Sequence, residues 1–61
     1  MILESNDKGS VIIYDMLGKI IRTQNIEPGM NNILVEQLMQ GNYVLVLKTA
    51  QGISSQRVLI Q

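Results

Sequence analysis

Sixty-one residues with five basic and five acidic side chains, a formal charge of zero, make one small domain at most. The chain has no cysteine and no histidine, which removes disulfides, thiolate metal sites, the commonest general base and the commonest metal ligand. Two tyrosines are the only aromatic residues, so there is no base-stacking platform, and the balanced charge leaves no electrostatic footprint for nucleic acid or an anionic membrane.

Residues 1–15 lack the basic start and apolar core of a signal peptide. No run approaches the roughly 18 apolar residues of a membrane helix. An apolar fraction of 46% is that of a folded domain. A chain of this size buries only about 60% of its unfolded surface, so the core is marginal.

Ile2 to Ser5 reads either as a short strand or as the tail of a truncated one. Asn6-Asp7-Lys8-Gly9 is a turn, in which Gly9 is expected to take a positive φ. Ser10 to Asp15 is a strand, with Val11 and Ile13 on one face and Ile12 and Tyr14 on the other. Asp15 to Lys19 is a hairpin connection, a type I turn closed by Gly18 in the left-handed region. Asp15 is expected to cap the amides of this turn. Lys19 to Asn25 is the return strand, and Glu27-Pro28-Gly29 is a proline turn whose glycine takes the φ that other residues resist.

Asn31 to Glu36 is expected to be the next strand, with Ile33 and Val35 on one face and Leu34 on the other. Asn31 and Asn32 read as polar links between turn and strand. Leu38 plugs the core from the link Gln37 to Gln40. Gly41 then launches the strand that ends at Thr49, and Tyr43 to Leu47 is the longest apolar run in the chain. Tyr43, Leu45 and Leu47 share one face, and Val44 and Val46 the other. Tyr43 is expected to be a core residue with its hydroxyl at the sheet margin. Gln51-Gly52 makes a second tight hairpin, and Ile53 to Ile60 is the terminal strand.

No window holds helical apolar spacing for three turns, and turn signals recur about every ten residues, the rhythm of an antiparallel sandwich. Ile12, Tyr14, Ile20, Val44 and Val46 fall together on a second face, either the outside of one sheet or part of a second inner face. Lys48 and Arg57 lie on adjacent strands, either to meet an acidic patch or as solvated charges that discourage aggregation. The terminal strand has few charges, and as an edge it offers unpaired backbone groups for strand addition. The carboxylates Glu4, Asp7, Asp15, Glu27 and Glu36 sit in separate turns or strand ends with no pairing at motif spacing, which nearly excludes a hydrolase.

Three blocks stand in order: V-I-I-Y-D-M-L-G-K from Val11 to Lys19, P-G-M-N-N-I-L-V-E-Q-L from Pro28 to Leu38, and G-N-Y-V-L-V-L-K-T from Gly41 to Thr49. A Q-G turn and a terminal strand carrying Arg57 follow. Together they resemble the C-terminal sorting domain of cargo proteins of the bacterial type IX secretion system. The motif positions matched are Tyr14, Asp15, Gly18, Gly29, Asn31, Leu38, Gly41 and Tyr43.

The resemblance implies an all-β, small immunoglobulin-like antiparallel β-sandwich of six or seven strands, with no cofactor and no catalytic residue. It implies a passenger's address, residues 1–61 being a fragment of a longer secreted cargo protein that passes the periplasm to the cell surface or the medium. The implied partners are outer-membrane translocon components and a sortase that removes the domain. Lys48, Arg57, Val58, Leu59 and Ile60 are the candidate recognition residues.

Two departures from the pattern matter. The family's further strand before the first block, often introduced by Asn-Pro, is represented only by Ile2-Leu3-Glu4, so one edge is expected to be open and to pair isolated copies as a dimer. The last strand carries a single basic residue where relatives often have two or more. The other reading the residues leave is a non-catalytic carbohydrate- or protein-binding module attached to a secreted enzyme.

Overall fold

The computed structural model describes residues 1–61. Six strands form the fold: β1 Ile2–Ser5, β2 Gly9–Tyr14, β3 Ile20–Ile26, β4 Gly29–Asn32, β5 Gly41–Thr49 and β6 Gly52–Ile60. All pairings are antiparallel. They build a four-stranded sheet in the order β3-β2-β5-β6 and a two-stranded sheet of β1 and β4. The two sheets pack as a small β-sandwich, the fold class expected from the alternating apolar pattern.

The pattern explains the packing. Val11 and Ile13 of β2 stand opposite Leu47 and Leu45 of β5, so these four point to the same side. Val11, Ile13, Tyr43 and Leu45 are buried there with Ile26 and Ile33, and these six are the core. Met1 and Leu3 cover it from the β1 side, and Leu38 and Val35 from the connection before β5. A β-bulge between Ile13 and Tyr14 leaves Ile21 without a partner, because Ile13 faces Arg22 and Tyr14 faces Ile20. The extra residue turns Ile21 toward the core and Ile20 outward, where it is exposed.

The Asp15–Lys19 connection closes as a capped turn. The Asp15 carboxylate oxygen Oδ1 accepts from the amides of Leu17 and Lys19, both at 2.9 Å. Gly18 has φ of 87°, the left-handed region that glycine adopts without a Cβ clash.

Three expectations are corrected. The strand over Asn31 to Glu36 is displaced: β4 runs from Gly29 to Asn32, and residues 33–36 leave regular pairing. β1 supplies the reason, since its residues Ile2 to Ser5 pair with Asn32 to Gly29 and leave no further partner. Ile33 holds its backbone through Met1 instead, donating to the Met1 carbonyl at 2.6 Å and accepting from the Met1 amino group at 3.0 Å. Gly9 does not take a positive φ; it is the first residue of β2, where a Cβ would meet the Lys48 carbonyl oxygen at 2.0 Å. Glycine is needed there for close approach of two strands. Finally, β3 extends past Asn25 to Ile26, which is 1% exposed.

Candidate functional site

The residues matched as motif positions hold turns and crossings. Asn31 ties the passage from β3 to β4: its Oδ1 accepts from the Glu27 amide at 2.9 Å, and its Nδ2 donates to the carbonyls of Glu27 at 2.8 Å and Gly29 at 3.2 Å. A longer contact of 3.5 Å reaches the carbonyl of Leu3 on β1. Gly29 has φ of 105°, and Pro28 just before it has its own φ fixed by its ring, so the chain leaves the large sheet and enters the small one across two residues, Glu27 and Pro28. Tyr43 is buried, with its hydroxyl donating to the Met39 carbonyl at 2.6 Å.

The candidate recognition residues gather on β5 and β6. β6 pairs only with β5, so its far side is an open edge nine residues long. Proline is absent from it, and Arg57 is its only charged side chain. Val58 and Ile60 turn inward against the core, while Arg57 and Leu59 are exposed. Lys48 is also exposed. It stands opposite Ile53, whereas Arg57 stands opposite Val44, so the register separates the two cations by four residues, about 13 Å along the strand.

Reactive groups are not brought together anywhere. No three His, Cys, Asp or Glu side chains cluster. Two shallow hollows flank the ends of the β5–β6 ladder. One, of about 230 Å³, is lined by Leu47, Thr49, Gln51, Gly52, Ile53 and Ser54. The other, of about 290 Å³, is lined by Gln40, Gly41, Leu59, Ile60 and Gln61. Neither holds an ionisable side chain. Ser5, the one buried polar residue, is satisfied by its own turn, with Oγ donating to the Asp7 carbonyl at 2.6 Å and accepting from the Asp7 amide at 3.2 Å. Sequence reasoning passed over Ser5; a serine two residues before an Asp at a strand end is the signal for such a side-chain turn.

This is a small all-β module whose longest open strand edge is β6, a class that can offer such an edge for strand addition. Comparison with known families narrows the class. The chain belongs to the secretion system C-terminal sorting domain family, whose model matches residues 1–61. This is the sorting tail of type IX secretion, a family not known to be catalytic. Membership makes the chain a C-terminal sorting signal, associated with that machinery and with export through the outer membrane to the cell surface or the medium. No curated protein and no solved structure matches the chain.

Proposed function

We propose that residues 1–61 are the C-terminal sorting domain of a longer cargo protein, non-catalytic, read as a folded module by an outer-membrane translocon component after transit through the periplasm, and then removed by a sortase. The observation that carries this reading is the open edge of β6. A nine-residue strand with one charge and no proline offers a row of backbone donors and acceptors to an added strand. Val58 and Ile60 anchor that strand to the core, so it is presented as part of a folded unit. Arg57, Leu59 and Lys48 supply side-chain contacts beside the edge. The edge beside the short β1 pairs isolated copies as a dimer at high concentration, and a monomer by light scattering at that concentration overturns that pairing.

An export assay tests the reading. The segment is fused behind a signal peptide and a fluorescent reporter, in a host with a working type IX system. Full-length fusion reaches the medium or the surface, and deletion of Ser54 to Gln61 retains it in the periplasm. Because the deletion also strips Val58 and Ile60 from the core, proline is placed at Ser54 and at Ser55 in turn. Amides alternate in direction along an antiparallel strand, so one of these two points away from β5. That variant keeps the fold, blocks strand addition and is retained.

A further inference from the structure

The chain is neutral as a whole, yet its charge is divided. None of the five carboxylates lies on a strand of the large sheet, which carries Arg22, Lys48 and Arg57. Glu4 is on β1, and Asp7, Asp15, Glu27 and Glu36 are in connections. Every charged side chain on the strands of the large sheet is therefore cationic, with Lys48 and Arg57 on its outer face.

Its outer face is also apolar. Tyr14 stands opposite Ile20 on one side and Val44 on the other, and Val44 stands opposite Arg57. Ile12 stands opposite Val46, and Lys48 opposite Ile53. Ile12, Tyr14, Val44 and Val46 are half-buried, but none belongs to the core or packs against it. These side chains shelter one another, with no layer above them.

We propose that this outer face is a docking surface for a protein of the export machinery that is apolar at its centre and acidic at its rim. The proposal rests on the sorting reading and extends it from the β6 edge, beside which Arg57 and Lys48 lie, across the outer face to Tyr14 and Val44. Charge selects the occupant. A second copy applied face to face sets Lys48 and Arg57 against like charges with no carboxylate to offset them. An anionic lipid surface gains only about 1 kcal/mol per basic residue, and stable recruitment takes clusters of roughly four to eight. An acidic-rimmed protein surface meets both cations and covers the apolar rows between them. Four strands about 4.8 Å apart give a face on the order of 400 Å². This is below the roughly 800 Å² per partner of a stable complex, so the contact is a transient one, as an address requires.

The same reporter fusion tests it. Two double variants change the face, Tyr14→Thr with Val44→Thr and Lys48→Glu with Arg57→Glu. A third, Ile2→Thr with Met30→Thr, changes exposed apolar residues of the small sheet. Export is expected to fall at least tenfold for both face variants and to hold for the third. The charge-reversal pair alters only exposed side chains, so its urea midpoint stays that of the parent. Parental export of the face variants, or an equal loss in the third variant, overturns the docking face and leaves the sorting function standing. Failure of the unchanged fusion to be exported overturns the sorting reading itself. Co-sedimentation of the fusion with phosphatidylglycerol vesicles at low salt, expected to be absent, replaces the protein partner with lipid and overturns the proposal.

Discussion

The hydroxyl of Tyr43 donates to the carbonyl of Met39, four residues upstream, at 2.6 Å. This bond fastens the longest apolar strand to the connection that precedes it, and it satisfies a polar atom on a residue only 8% exposed. Tyr43→Phe leaves the ring in the core and orphans one carbonyl. The expected cost is about 1 kcal/mol, which lowers the thermal midpoint of a domain this small by roughly 4–8 °C. Melting followed by far-ultraviolet circular dichroism reads it directly. A midpoint unchanged within a degree means that water replaces the tyrosine at no cost.

Two glycines fail for different reasons, and alanine separates them. At Gly9 a Cβ meets the Lys48 carbonyl oxygen at 2.0 Å, so β2 and β5 must part. At Gly18 nothing lies within 4 Å, and the only penalty is a left-handed φ of 87°. Gly18→Ala is expected to cost about 1–2 kcal/mol. Gly9→Ala costs more, because a central strand pairing is lost and a backbone atom cannot rotate away. Urea denaturation of both variants ranks them, and the reverse order contradicts the close approach of β2 and β5.

Asp15 gives a test of acceptor against charge. Its Oδ1 serves two amides of the hairpin, and asparagine keeps an oxygen at that place. Asp15→Ala is expected to lose about 0.5–1.5 kcal/mol, and Asp15→Asn less than half of that. Equal losses in the two urea midpoints would show that the negative charge, not the oxygen, holds the turn.

Much of this was legible because β-structure writes itself in alternation. The apolar positions of β2 and β5 announce their inner faces, and the glycines at 18 and 29 announce left-handed turns. The second apolar face, Ile12 with Tyr14, Val44 and Val46, is equally plain in the sequence. What alternation cannot show is partnership. Ile33 alternates with Leu34 as a strand residue would, yet pairing stops at Asn32 because β1 is only four residues long. Gly9 sits beside Asn and Asp and reads as a turn glycine, while its true constraint is Lys48, distant in sequence. The separation of Lys48 from Arg57 along the ladder is likewise a matter of register, which depends on the loop between Thr49 and Gly52. Alternation shows β6 and the outer face only as surfaces left uncovered, and Lys48 and Arg57 are what marks the chemistry of a partner there.

The end of β4 makes the last prediction. Ile33 lies outside regular strand pairing but is 0% exposed, while the adjacent Leu34 is 49% exposed. Ile33 plugs the core from a segment that only Met1 holds by backbone bonds on both its amide and carbonyl. Truncation to alanine at a buried isoleucine costs about 2–5 kcal/mol. A 61-residue domain has about 3–9 kcal/mol in all. Ile33→Ala is therefore expected to leave much of the population unfolded at 25 °C, and Leu34→Ala to change stability by less than about 1 kcal/mol. Ile33→Val, which removes one methyl group, falls between them at about 0.5–1.5 kcal/mol. Urea titrations of the three variants measure the series. Similar losses at positions 33 and 34 would mean that both side chains are covered in solution, and that the pairing of β1 with β4 continues beyond Asn32.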